Sequence, residues 1–377
     1  MKKSKDKTTR LIVAASESDA DLLYATRFWA PDPFIFLQQK GKRTLVLSDL
    51  EFDRARKTAR ADEFVQFSDL ERETRGRSKK TPVYEKVLAH FLRQRGVTSA
   101  AVPANFSLGY ARELASAKIQ LRVVDGSFWP ERETKSDKEL ELMGRALRIT
   151  EAGLARAMEV LKSSRPGPGQ RLRWARKPLT SEILRAEIDS AVLRAGGQPA
   201  GTIVAGGDQA CDPHERGSGP LLAHSLIILD IFPRDAKSGY FGDLTRTVLR
   251  GRASEEQRKL WETVKAGQAL ALRKIAAGVD GMEVHQGIQN LFVKRGYVTG
   301  VQKGRRVGFF HGTGHGLGLE IHEYPRLQKV TLQERQVVTV EPGLYYPGLG
   351  GVRLEDVVVV TKTGCKILSR FPKQLEI

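Results

Sequence analysis

The sequence predicts two successive domains, a layered α/β domain over residues 1–130 and an α+β domain over residues 136–377. Three observations carry this reading. The chain's 377 residues are enough for two hydrophobic cores. Over roughly the first third, short apolar runs alternate with helical patterns, as in an α/β layer. Beyond Ser136, long helical stripes are followed by apolar segments that end in acidic residues.

The strands expected in the first domain are Leu11 to Ala15, Pro33 to Leu37, Thr44 to Leu47, Phe64 to Phe67, Ala100 to Val102 and Leu121 to Val124. Between them, Val83 to Arg95 reads as a helix, because Val83, Val87, Leu88, Phe91 and Leu92 fall on one face. This half has no glycine-rich phosphate loop and no dense polar cluster, so a supporting role is expected. Gly126 to Lys135, charged and containing Pro130, is the expected linker. Ser136 and Glu139 then form a capping-box signature that starts a helix. In that helix Leu140, Met143, Leu147, Leu154, Met158 and Leu161 make an apolar stripe, which a domain helix buries. A second helix is expected from Thr180 to Gly196-Gly197, and later ones over about Glu255 to Ala277 and Met282 to Arg295. Leu226 to Phe232, Val337 to Val340 and Val357 to Val360 read as strands.

Composition narrows the class. Hydrophobic residues at 40% and charged residues at 28% are ordinary for a globular protein. No apolar run approaches the roughly 20 residues of a membrane helix. The basic start, Met1 to Arg10, leads into a strand-length run rather than a signal peptide. Two cysteines in unrelated contexts, Cys211 and Cys365, suit a reducing cytoplasm. The net charge of +18 raises the question of nucleic acid. Apart from the N-terminus, that charge is spread out except over Lys162 to Lys177, which has six positive and no negative charges. Its Pro-Gly-Pro-Gly start makes it a loop, and a solvated basic loop is a sufficient account.

The chemistry lies in the second half. Asp230 ends the run LIILD, Asp243 precedes a strand in GYFGDLTRT, and Glu341 follows VVTV. Glu355 sits between GGVRL and DVVVV, and His315 lies in HGTGHGLG. Singly, each has an ordinary explanation, since an Asp at a strand end is commonly a turn former. Arg246 and Arg353 are available to pair with such acids as structural ion pairs. Together, four carboxylates and an imidazole bordering strands need partners or cations, because a buried unpaired carboxylate is very costly. Two divalent ions would satisfy them. The spacing His-Gly-Thr-Gly-His is not that of a zinc helix, since it lacks the Glu and is broken by glycines.

The blocks PHERGSG, LDIF…GDLTRT, HGTGHGLGLEIHE, VEPGLYY and GVRLEDVV resemble the pita-bread metallopeptidases, in the branch of aminopeptidase P and prolidase. KSDKELELM, from Lys135 to Met143, is similar to the opening of their catalytic domain, and the first domain resembles their creatinase-type N-terminal domain. The resemblance implies that Asp230, Asp243, His315, Glu341 and Glu355 hold two divalent ions, with Asp243 and Glu355 bridging both. Manganese is the metal expected, with cobalt or zinc as alternatives. It further implies a metal-bridging hydroxide as nucleophile and Glu341 as proton shuttle. His322 would contact the scissile amide, His214 would orient the scissile region, and Arg353 would orient Glu355. The implied substrate is a peptide with proline at its second position, cleaved by an aminopeptidase or a dipeptidase. A homodimer in the cytoplasm is expected, without membrane or nucleic acid.

Two features depart from the family pattern. Phe232 stands where a small residue is usual, and the connection between Asp230 and Asp243 is about two residues longer. That connection is expected to be a hairpin tip, which tolerates insertion. The basic Pro-Gly segment 163–177 is expected to be an inserted loop. The rival readings are an aminopeptidase of the same family without proline specificity, and a nucleic-acid- or protein-binding member of the fold. Intact ligands weigh against the second.

Overall fold

The computed structural model describes residues 8–377, so most of the basic N-terminal segment lies outside the described residues. The chain divides into two compact units, bounded at Arg132 and Glu133.

The first unit holds strands β1 (Arg10–Ala14), β2 (Phe34–Gln39), β3 (Lys42–Leu47), β4 (Glu63–Gln66), β5 (Ser99–Val102) and β6 (Gln120–Val123). They form one mixed sheet in the order β4-β3-β2-β1-β5-β6. Its helices are α1 (Ala20–Thr26), α2 (Asp49–Thr58), α3 (Phe67–Arg75), α4 (Tyr84–Gln94) and α5 (Leu108–Ser116). Successive strand residues point to opposite faces, and here both faces are apolar. Leu11, Val13, Ile35, Leu37 and Val46 pack with Val87, Leu88, Phe91 and Leu92 of α4 on one side. Ile12, Phe34, Phe36, Leu45 and Leu47 pack with Leu22 of α1, Ala55 of α2 and Trp129 on the other. Two buried faces explain why these strands read as continuous apolar runs rather than alternating ones.

The second unit opens on α6 (Asp137–Ser163), whose Ser136 cap and Glu139 complete a reciprocal capping box. Met143, Leu147, Leu154, Met158 and Leu161 of its stripe are buried as expected. The segment expected to be a loop is instead a small antiparallel sheet of β7 (Arg165–Pro166), β8 (Leu172–Trp174) and β9 (Lys177–Pro178). The Pro-Gly start misled, because beyond Pro166 it forms only the connection between β7 and β8. Leu172 and Leu179 are fully buried, and Leu172 N–H donates to Leu221 O. The guanidinium of Arg156 lies over the Trp174 ring.

After α7 (Ser181–Arg194) and β10 (Gly197–Gln198), strand β11 (Ile203–Gly206) pairs with β12 (Ile227–Ile231). Next, β13 (Arg234–Asp235) and β14 (Leu244–Val248) follow, β14 pairing with the other edge of β12. The connection from β12 to β14 joins two antiparallel neighbours, a hairpin as expected, and it makes contacts of its own. Its β13 pairs with β10, and Asp235 is fully buried, accepting from Lys237 N–H and Ser238 Oγ. The added residues are therefore folded onto the body of the unit. Gly242, one residue before Asp243, lies against α6: a Cβ there would stand 2.3 Å from Thr150 Oγ1 and 2.5 Å from Ala146 O.

Helices α8 (Glu255–Lys274) and α9 (Gly281–Lys294) precede a hairpin of β15 (Gly300–Gln302) and β16 (Arg305–Val307). The last strands are β17 (His315–Gly316), β18 (Glu323–Arg326), β19 (Val337–Val340), β20 (Gly343–Tyr346), β21 (Gly350–Arg353), β22 (Asp356–Thr361) and β23 (Gly364–Ile367). A five-stranded sheet runs β18-β17-β19-β22-β23, and β20 pairs with β21. Leu260, Trp261 and Val264 of α8 and Val284, Ile288 and Phe292 of α9 pack on Val338, Val340, Val358 and Val360 of this sheet. No helix among the described residues is long and apolar enough to cross a membrane.

Gly242→Ala tests how tightly α6 fixes the strand that carries Asp243. The new methyl meets a helix carbonyl, so about 1–3 kcal/mol of stability should be lost, as for other overpacked sites. Urea unfolding at unchanged m-value measures it, and a wild-type midpoint would contradict the packing described.

Candidate metal centre

Strand pairing brings the acidic residues together. Asp230 faces Thr245 across β12–β14, and Ile231 faces Leu244, so Phe232 and Asp243 form the next pair outward. With a side-chain period of two, Asp230, Phe232, Asp243 and Thr245 share one face. In the second sheet Val340 faces Asp356, which makes Glu341 and Glu355 the next pair beyond it. Glu355 N–H donates to Thr245 O, tying the two sheets together at this point. His315 is held on β17 by its own N–H, which donates to Thr339 Oγ1 at 3.0 Å. The chain can run there because residue 314 is glycine; a Cβ would fall 1.9 Å from Thr339 O.

All five residues line one cavity of about 700 Å³. His315 Nε2 lies 3.2 Å from Glu341 Oε1 and 3.7 Å from Asp243 Oδ2. Thr339 Oγ1 donates to Glu341 Oε1 at 3.1 Å, and Thr245 Oγ1 donates to Glu355 Oε2 at 2.8 Å. Donor atoms of Asp243, His315 and Glu355 all lie within 4.8 Å of one another. His214 and His322 line the same cavity and are exposed to it. The His322 ring meets His315 edge-on, with centroids 4.3 Å apart.

Arg353, expected to orient Glu355, makes its own hydrogen bonds to other partners. Its guanidinium does not reach Glu355 directly. It donates to Asp230 Oδ2 at 2.6 Å, to Tyr345 Oη at 3.1 Å and to Thr245 Oγ1 at 3.3 Å. Its hydrogen-bond route to Glu355 runs through Thr245, while its charge also acts on that carboxylate. Arg246, the other arginine in this stretch, pairs with Asp356 and donates to the backbone carbonyls of Thr245 and Glu355 rather than to a cavity carboxylate. Behind Arg353, the Tyr345 hydroxyl lies 2.8 Å from His311 Nε2, while His311 Nδ1 lies 2.8 Å from Gly312 O. A neutral His311 with Nδ1–H donating to that carbonyl leaves Nε2 to accept from Tyr345. Burial carries His311 down to about 4, in keeping with a neutral ring.

Four residues of this network escaped the sequence reading: Thr245, His311, Thr339 and Tyr345. Thr245, His311 and Tyr345 stand inside the family-like blocks, and Thr245 was within reach, since it is two residues past Asp243 on the same strand face. Phe232, which departs from the family pattern, lines the cavity beside Ile203, Phe310 and Ile321.

The electrostatics call for cations. Burial raises Asp243 and Glu355 well above the ordinary carboxylate range, and neighbouring acids add to it: Glu355, Asp230 and Glu341 for Asp243, Glu341 and Asp230 for Glu355. Asp230 is also raised by burial, against the pull of Arg353. Glu341 goes the other way: burial would raise it, but the hydrogen bond and charge of His315 carry it to about 2. Among protein groups alone, the charged forms of Asp230, Asp243 and Glu355 are thus disfavoured, and a divalent ion would favour them. Asp230 Oδ1 is buried and has no hydrogen-bond partner among the described residues. An orphaned oxygen among oxygen donors and one imidazole fits a divalent metal.

Such a donor set on adjoining sheet edges belongs to the class of metal-dependent hydrolases. The chain is a member of metallopeptidase family M24, whose model matches residues 141–362. The Xaa-Pro dipeptidase of Pyrococcus horikoshii is 29% identical over 316 residues, covering 81% of this chain and 84% of that one. Among solved structures, Xaa-Pro dipeptidase from Bacillus anthracis matches with TM-score 0.82 and 23% identity over 98% of this chain and 95% of that chain. X-Pro aminopeptidase from Thermotoga maritima matches with TM-score 0.81 and 24% identity over 98% and 97%. These likenesses carry the fold expected from the sequence, a pita-bread catalytic domain preceded by an α/β domain.

Asp243→Ala and Glu355→Ala should each abolish Mn(II) binding in titration calorimetry, because each removes a carboxylate from the centre of the cluster. Wild-type affinity in either variant would refute the ligand assignment.

Proposed function

We propose that this chain is an Xaa-Pro dipeptidase whose metal ligands are Asp230, Asp243, His315, Glu341 and Glu355. The observation that carries the reading is the charge division of one cavity. Its carboxylate and imidazole cluster is lined on the same surface by Arg326 and Lys329. A dipeptide ending in proline presents a free carboxylate just past the scissile bond, and a cation of the lining would take it. The dipeptidase relative covers four-fifths of both chains, which supports the same substrate class.

Divalent ions held there would polarise the scissile carbonyl and lower the pKa of attacking water. The oxygen-rich donor set favours manganese. Glu341, held against His315 and Thr339, takes the proton from water and delivers it to the departing prolyl nitrogen. His322 is carried down to about 4 by burial and the nearby His315, so it is neutral near pH 7 and donates an N–H to the developing oxyanion. His214 lies on the cavity wall and orients the substrate beside the scissile bond. Arg353 fixes Asp230 and, through Thr245, Glu355. Residues 1–130 are assigned as the creatinase-type N-terminal domain and 136–377 as the catalytic domain. The two free cysteines fit a cytoplasmic location.

The deciding assay is hydrolysis of Ala-Pro beside Ala-Pro-Ala with Mn(II) added. Cleavage of the dipeptide alone is expected; cleavage of the tripeptide would make the chain an aminopeptidase, and cleavage of neither would overturn the reading. His322→Ala should lower kcat by about 10²-fold or more, as loss of an oxyanion donor does, while Mn(II) content stays at the wild-type level. Equal losses of turnover and metal would reject the role given to His322.

A further inference from the structure

The family-like segment KSDKELELM contributes nothing to the cluster itself, yet its first residue is among the most deeply buried cations in the second unit. Lys135 is 2% exposed, and its Nζ lies 2.5 Å from Glu323 Oε1, whose side chain is 7% exposed. Glu323 directly follows His322. Burying an ion pair costs desolvation that its attraction often fails to recover, so such pairs are weak evidence for stability and better read as devices that fix a geometry.

What this pair fixes can be followed atom by atom. The turn from His315 to Glu323 leaves β17 and returns as β18, with Gly316 facing Glu323. Inside the turn Gly318 N–H donates to Glu320 O, and Glu320 N–H donates to Glu323 Oε2 at 3.4 Å. The Glu323 carboxylate fills the space beside Gly318, where a Cβ would lie 2.4 Å from Oε1. Phe241 N–H donates to Gly318 O, joining the turn to the strand entering Asp243. Lys135 is itself immobilised: its N–H donates to Arg335 O, and Arg335 Nε donates back to Lys135 O. A backbone-clamped cation thus meets a carboxylate that organises the turn, while the adjacent His322 ring points into the cavity.

We infer that Lys135 and Glu323 are positioning residues for His322: their buried pair sets where the His322 ring stands relative to the metal cluster. The inference rests on the role given to His322 under the proposed function. It is kept separable by a measurement that needs neither turnover nor metal.

The test is a double-mutant cycle between K135M and H322A, with Ala-Pro and Mn(II), beside imidazole NMR of metal-free protein. K135M alone should lower kcat at least about tenfold with KM little changed, because ångström-scale misplacement of a reacting group is that costly. In the H322A background the same change should lower kcat by less than about twofold, since nothing remains to be positioned. In metal-free K135M, the His322 ring 13Cε1–1H signal, assigned by its absence in H322A, should shift or broaden. Equal losses in both backgrounds, wild-type kcat in K135M, or an unmoved His322 signal would each overturn the inference. Should K135M fail to fold, E323Q is isosteric and enters the same cycle with the same outcomes. If wild-type protein proves inactive on Ala-Pro, the proposed function falls while the NMR comparison still decides the positioning.

Discussion

Mutual repulsion among buried carboxylates is the constraint around which the second unit is arranged. Asp230, Asp243, Glu341 and Glu355 open onto one cavity, and burial together with their neighbours raises three of the four. Nothing in apolar packing would bring four acids together. The fold holds them there because each stands at or beside the end of a strand whose remaining residues are deep in the core. The strands supply the stability, and their ends carry the charges.

This division explains the surrounding polar network. Threonines rather than further acids lie between the carboxylates: Thr245 serves Glu355, and Thr339 serves both His315 and Glu341. A hydroxyl can donate to one acid and accept from a neighbour, which adds order without adding charge. The one buried guanidinium in the site, Arg353, is spent on Asp230 Oδ2 and is backed by Tyr345 and His311. It leaves Asp230 Oδ1 unsatisfied. The site is therefore compensated on one flank by protein and open to cations on the other.

Much of this was legible in the sequence. The strands of the first unit and the long helices of the second emerge from periodicity because burial alone decides them. Asp230, Asp243, His315, Glu341 and Glu355 stood out because acids and an imidazole interrupt strand-like sequence, and the structure lines one cavity with all five. What escaped was contact between distant segments. That Arg353 reaches Asp230, 123 positions away, rather than the near neighbour Glu355 depends on how β21 lies beside β12. The segment 163–177 was misread because its Pro-Gly start, beyond Pro166, is only the connection between two strands, and buried Leu172 with Leu179 just beyond it helps seat the small sheet. The tip between β12 and β14 is the hairpin the sequence suggested, but its further contacts were not legible. Only the fold shows Asp235 buried and paired with β10.

The account stands or falls on two cations sharing this cavity. Anomalous diffraction at the manganese edge, from crystals of the full chain grown with Mn(II), tests it most directly. The account predicts two peaks inside the cavity, both flanked by Asp243 and Glu355. A single peak, or peaks outside the cavity with these carboxylates left free, would contradict it.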